Sequence, residues 1–217
     1  MSAAGALGAS AAGARLVPGV ARLAVLRANA VGDFLLALPA LEALRRAYPD
    51  AEVVLLGSDW HRAFLAGRPS PVDRCVAVPP SRGVRDDRPP APPEALDAFF
   101  ARMRAERFDL ALQLHGGGAS SNPFVARLGA AATAGARAAD APGLDRTTAY
   151  NLYQPEVLRL LEVVSLVGAA PVTLEPRVAV TAADRAESRA ALPGDGRPLV
   201  AIHPGARDPR RRWPPER

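Results

Sequence analysis

The sequence predicts an α/β domain built around a parallel β-sheet, and three observations carry the prediction. The apolar runs at residues 23–26 (Leu-Ala-Val-Leu) and 51–57 (Ala-Glu-Val-Val-Leu-Leu-Gly) do not alternate with polar residues, as suits strands covered on both faces. Between them, Phe34, Leu38, Leu41, Leu44 and Tyr48 recur at three- and four-residue spacing, the signature of one helix face. Finally, 217 residues of which 49% are hydrophobic, 23% charged and only 5% aromatic suffice for a globular core made mainly of Ala, Val and Leu.

In chain order, the first strand is bounded by Arg22 and Arg27, and a turn over 28–32 leads into the first helix. That helix ends before Pro49, and Pro39 inside it is expected to kink it, because proline lacks the amide donor and crowds the carbonyl four residues back. Residues 51–57 complete a strand–helix–strand unit, followed by a helix over 59–66 and a third strand around 75–78. Residues 79–93 hold six prolines among Arg and Asp, a composition expected to form a loop outside the core. Glu94 opens a helix with Leu96, Phe99, Phe100 and Met103 inward, and residues 108–114 form a fourth strand running into His115-Gly116-Gly117-Gly118 and on to Asn122. Pro155 suits the first position of a helix with Val157, Leu160, Leu161 and Val164 on its buried face and Gly168 as its stop.

Residues 171–180 read as an extended linker, and Thr181 to Asp184 has capping-box spacing for a helix reaching Leu192. A turn at 193–196 precedes a new buried strand at 198–202, which runs into His203-Pro204-Gly205-Ala206. A strand, a turn and a helix start cannot close a domain by themselves. The chain is therefore read as a fragment or truncated gene model: a disordered leader at 1–20, a complete domain at 21–170, a linker and helix at 171–196, and the start of a second domain at 197–217.

Composition excludes several functional classes. All 27 basic residues are arginine, which with the abundant Ala, Gly and Pro reads chiefly as coding bias, and the net charge of +5 with aromatics at core spacings speaks against nucleic-acid binding. The lone Cys75 forms no internal disulfide, and His61, His115 and His203 lack metal-ligand spacing, so neither a disulfide scaffold nor a structural zinc site is expected, and no cofactor is assigned. The longest apolar stretch, 23–44, is broken by Arg27, Asp33, Pro39 and Glu42, short of the roughly 18 apolar residues of a membrane span. The first 20 residues lack the basic start and compact apolar block of a signal peptide, which points to the cytoplasm.

Ligands of open parallel sheets bind beyond the carboxyl ends of the strands, which directs attention to three loops. In Asn29-Ala30-Val31-Gly32-Asp33, Gly32 admits a ligand to the backbone, and Asp33 is either a helix N-cap or a group that takes a proton from a hydroxyl. In the second, the three glycines after His115 either make room for something bulky or form an ordinary surface loop. In the third, Gly205 and Ala206 at a helix start, with Arg211 and Arg212 nearby, would suit an anion; the alternative is a solvated basic tail.

The phrase Arg27-Ala28-Asn29-Ala30-Val31-Gly32-Asp33, followed by Leu38-Pro39-Ala40-Leu41 and Leu44-Arg45-Arg46-Ala47-Tyr48-Pro49, resembles the N-terminal signature of the family 9 glycosyltransferases, typified by ADP-heptose:lipopolysaccharide heptosyltransferases. His203-Pro204-Gly205-Ala206 through Arg211-Arg212-Trp213-Pro214 is similar to the opening of that family's second domain, and Phe108-Asp109-Leu110-Ala111 with the glycine loop also fits. The resemblance implies a GT-B architecture of two Rossmann-like domains and inverting, metal-independent transfer from a nucleotide-diphosphate sugar to a hydroxyl of a glycan or glycolipid. It implies Asp33 as general base, Asn29, Gly32, His115, Gly116 and Gly117 at the acceptor, and Gly205, Ala206, Arg211 and Arg212 at the donor diphosphate. The family's later donor-binding segment has no counterpart in these residues, so little transfer is expected from this chain alone. An acceptor of this kind would bring the protein into peripheral contact with the cytoplasmic membrane face. The alternative is a non-catalytic Rossmann-like domain that binds a nucleotide or a glycan.

Overall fold

The computed structural model describes residues 15–192, 194, 198–206, 209–214 and 216. Its elements are β1 (Arg22–Leu26), α1 (Val31–Ala47), β2 (Glu52–Gly57), α2 (Asp59–Leu65), β3 (Arg74–Ala77), α3 (Pro93–Ala105), β4 (Leu110–Gln113), α4 (Ser121–Ala126), β5 (Ala132–Arg137), β6 (Arg146–Ala149), α5 (Glu156–Ser165) and α6 (Ala182–Ala191). By internal contacts the chain divides into two units, Met1–Ala179 and Val180–Arg217.

In the first unit the strands pair in parallel in the order β3-β2-β1-β4-β5-β6. The unbroken apolar runs are explained by two cores, one on each face of the sheet. Leu23, Val25, Val53, Leu55, Leu110 and Leu112 meet α1 and α5, whereas Ala24, Leu26, Val54, Leu56 and Ala111 meet Phe99, Phe100 and Met103 of α3 and Phe124 and Val125 of α4. After β3 the chain crosses back to add β4 on the other side of β1. The sheet thus reverses its winding between β1 and β4, the place where open parallel sheets hold a ligand crevice beyond their strand ends.

Pro39 lies inside α1, which runs from Val31 to Ala47 with the ring buried. Several expectations need correction. The proline-rich loop after β3 does join the core: Val84 is buried, and Ser81 and Arg85 pair in a small antiparallel bridge. Its anchor is Arg85, whose guanidinium donates to the Val78 carbonyl and to Asp59 and Asp87 at 2.7–2.9 Å. From Ser121 to Pro155, where the sequence signals no element, lie α4, β5 and β6. Strand β5 escapes notice because its residues are small, and Gly135 is small for a reason: a Cβ there would lie 2.8 Å from Cβ of Gln113 on β4. Strand β6 is an edge strand of alternating exposure with no apolar run. Of the stretch read as a leader, residues 1–14 fall outside the described residues. Val17 and Val20, however, pack on the core, and the Val17 amide donates to the Tyr48 hydroxyl at 3.1 Å.

The second unit keeps the capping box that the spacing predicts, with Asp184 N–H donating to Thr181 Oγ1 and Thr181 N–H to Asp184 Oδ2 at 3.1 and 2.7 Å. The strand expected at 198–202 is not formed. Leu199, Val200 and Ile202 are 63%, 78% and 83% exposed, because a parallel strand obtains both its hydrogen bonds and its cover from neighbours, and no described strand pairs with it. The turn expected at 193–196 lies, apart from Gly194, outside the described residues.

Candidate active site

The loops after β1 and β4 meet at the switch point, and they bring together six of the residues singled out in the sequence: Asn29, Gly32, Asp33, His115, Gly116 and Gly117. The Ala28 amide reaches His115 Nδ1 at 3.4 Å, joining the two loops directly. From the β2 side, Ser58 Oγ donates to the Ala28 carbonyl at 2.8 Å and Trp60 Nε1 to the Asn29 carbonyl at 3.2 Å. The backbone around Asn29 is therefore held from three directions.

Asp33 is not the N-cap of α1; that position is Ala30, which has no side chain able to cap. Asp33 sits three residues later, and its Oδ2 accepts the Ala30 amide at 3.2 Å, half of a capping box. Its side chain remains 42% exposed, and Oδ1 lies 3.6 Å from Nη2 of Arg27. One carboxylate can thus tie down the helix start and still present lone pairs to a hydroxyl in the crevice.

Beneath it, Arg27 is a residue whose role the sequence reading missed. Its guanidinium is buried, donates from Nε and Nη2 to the Asp33 carbonyl at 3.0 and 2.8 Å and from Nη1 to the Leu114 carbonyl, and pairs with Glu156 at 3.0 Å. Burial lowers its pKa to about 10, against the opposing pull of Asp33, so it stays charged at neutral pH. Glu156 is paired in turn with Arg159, whose guanidinium stacks 4.5 Å over the Tyr150 ring and donates to the Asn151 carbonyl. The available signal was a charged residue directly after a strand that is otherwise wholly apolar.

A second missed residue shapes the glycine loop. Gln113 is fully buried, and its amide nitrogen donates to the carbonyls of His115 and Gly116 at 2.7 and 3.0 Å, while Ser121 Oγ also donates to His115. Gly116 and Gly118 take φ of +70° and +93°, a region that suits glycine, and the Gly117 carbonyl accepts from Ala138. The polar residue inside Leu-Ala-Leu-Gln-Leu was the visible clue. The pinned loop after β3 reaches the same place, since a Cβ on Gly83 would come within 2.4 Å of Ser120 Oγ.

The second group of expected site residues belongs to the other unit. There Arg212 Nε donates to the Ala206 carbonyl at 2.7 Å, the Trp213 amide donates to the Pro204 carbonyl at 3.0 Å, and a short 3-10 turn spans Pro209–Arg211. The segment folds back on itself, with Gly205 open on its Cβ side and Arg211 exposed.

Two imidazoles give the first unit an acid sensitivity. Burial, opposed by the Ser58 amide bond, lowers His61 to about 4, and burial followed by the nearby Arg27 charge lowers His115 to about 4. In the unfolded chain each takes up a proton near pH 6.5, so the folded state loses stability as pH falls from about 6.5 towards 4. On the order of 1–3 kcal/mol per ring is expected. Thermal unfolding followed from pH 7 to pH 4.5 should show this loss, and His61→Gln or His115→Gln should each flatten the curve. A wild-type midpoint that is level across that range would refute it.

Among the described residues, His, Cys, Asp and Glu do not gather in threes able to hold a metal ion, and no helix is long and apolar enough to cross a membrane. No curated protein matches the chain. Among solved structures, E. coli ADP-heptose lps heptosyltransferase II has a TM-score of 0.61 at 19% identity, covering 89% of this chain and 57% of that one. A family 9 glycosyl transferase from Veillonella parvula gives 0.60 at 15% identity over 77% of this chain and 47% of its own. E. coli heptosyltransferase WaaC, bound to ADP-2-deoxy-2-fluoro heptose, gives 0.57 at 21% identity, with 80% and 56% covered. These likenesses establish the fold, and the chain spans about half the length of each of these structures. The model of glycosyltransferase family 9 (heptosyltransferase) matches residues 96–217, from within α3 through the second unit. With more than half of its length matched in this way, the chain belongs to glycosyltransferase family 9.

Proposed function

We propose that the first unit is the acceptor-side domain of an inverting glycosyltransferase that moves a sugar from a nucleotide-diphosphate donor to a hydroxyl of a glycan or glycolipid. The observation that carries this reading is the half-exposed carboxylate of Asp33 at the sheet's switch point, where the loop after β1 is joined to the glycine loop after β4. Asp33 takes the proton as the acceptor hydroxyl attacks the anomeric carbon, and the nucleoside diphosphate leaves from the opposite face. Asn29, Gly32, His115, Gly116 and Gly117 border the acceptor. His115 serves there as a neutral ring whose Nδ1 is occupied by the Ala28 amide, which places the proton on Nε2.

In the second unit, the amides at Gly205 and Ala206 with Arg211 and Arg212 receive the diphosphate and offset the charge that develops on departure, without a metal. ADP-heptose is the donor to try first, since structural neighbours are heptosyltransferases and one holds an ADP-heptose analogue. A glycolipid acceptor would draw the protein to the cytoplasmic face of a membrane as a peripheral partner.

The segment 198–202 forms no strand and leaves Leu199, Val200 and Ile202 exposed, which argues for weak donor binding by these 217 residues alone, so ADP-heptose turnover by this chain is expected at background. Joined to a complete donor-binding domain, it should yield a product of inverted anomeric configuration by NMR. A product that retains the donor's configuration would contradict the proposal, and vigorous turnover by the chain alone would contradict the expectation of weak donor binding.

A further inference from the structure

The chemistry around Asp33 poses a problem that the geometry answers. A buried guanidinium that is charged at neutral pH and lies 3.6 Å from a carboxylate should close on it, and a base locked in a direct ion pair is poor at accepting a proton. Arg27 does not close. Its Nη2 is engaged by the Asp33 carbonyl at 2.8 Å and by Glu156 Oε1 at 3.0 Å, leaving Oδ1 of Asp33 as its more distant neighbour. Glu156 is held in place from behind. Arg159 pairs with its other carboxylate oxygen, and Arg159 is itself fixed by the Tyr150 ring and the Asn151 carbonyl.

We infer that Glu156 is a positioning residue that competes with Asp33 for Arg27 and so keeps the Asp33 carboxylate available in the crevice. Two carboxylates share one guanidinium, and the better-buried one wins: the Glu156 side chain is 20% exposed against 42% for Asp33. Arg27 in turn spans the ends of β1 and β4 and the starts of α1 and α5, so the charge balance at the base is set by an element more than a hundred residues away in the chain. The role rests on the reading of Asp33 as base, but the contact it describes forms or fails to form whatever Asp33 does.

The test is structural and spectroscopic and uses the 217-residue chain itself. Crystal structures of the wild type, Glu156→Ala and Glu156→Gln are compared, together with the side-chain carboxyl carbon resonance of Asp33 at pH 7, assigned by its disappearance in Asp33→Asn. Removing the competitor should bring Arg27 Nη2 onto Asp33 Oδ1, shortening 3.6 Å to direct hydrogen-bond distance, and move the Asp33 resonance away from its wild-type position. Glu156→Gln keeps the acceptor oxygen without the charge and should give an intermediate shift. An Asp33 resonance and an Arg27–Asp33 distance unchanged in both variants would overturn the proposal. Should Glu156→Ala fail to fold, Glu156→Gln alone decides. A transfer-competent Asp33→Asn would instead remove the base reading while leaving the Arg27 contact to stand or fall on these measurements.

Discussion

Asp33→Ala is expected to reduce sugar transfer by about 10²- to 10⁴-fold, measured in a form of the protein that carries a complete donor-binding domain. The same substitution removes the acceptor of the Ala30 amide, at a cost of about 1 kcal/mol to the start of α1. Asp33→Asn separates the two roles. An asparagine oxygen still accepts the Ala30 amide, so stability should stay near the wild type, yet the amide cannot take a proton from a hydroxyl. Transfer lost in both variants, with unfolding altered only in the alanine form, is the pattern of a base. Normal transfer by Asp33→Asn would reduce the residue to a helix cap.

The second large effect is on stability. Arg27→Met should destabilise the first unit by about 3–5 kcal/mol, the range for removing one partner of a buried ion pair. Methionine fills much of the same space, but the carbonyls of Asp33 and Leu114 lose their donor and Glu156 is left facing Arg159 alone. For a chain of this size the loss corresponds to a fall in the thermal midpoint of roughly 6–20 °C. Arg27→Lys should recover only part of it, because one ammonium cannot reach three acceptors in fork geometry. A midpoint unchanged in Arg27→Met would show that the guanidinium is not needed to join the four element ends.

The sheet was legible where burial writes itself into residue type. The runs at 23–26 and 51–57 suited strands covered on both faces, and the Phe99, Phe100, Met103 face announced α3. Strand β5 was illegible because Gly135 answers to the side chain of Gln113, a tertiary demand that local propensity cannot express. The strand at 198–202 was misjudged for the converse reason: its apolar pattern is genuine, but pairing partners, absent among the described residues, make a strand. The site shows the same division. Asp33 and the glycine loop follow from position after strands, whereas Arg27 and Glu156 are 129 residues apart and meet only through the packing of α5 beside α1.

The arginine surplus also reads differently once Arg85 is placed. By fastening the loop after β3 to Val78, Asp59 and Asp87, it makes that loop, which reaches Ser120 beside the glycine loop, part of the folded scaffold. A loop that is already in position does not have to be ordered when a ligand arrives. The entropy of forming it is spent at folding, and less of a ligand's binding energy is diverted to shaping the site.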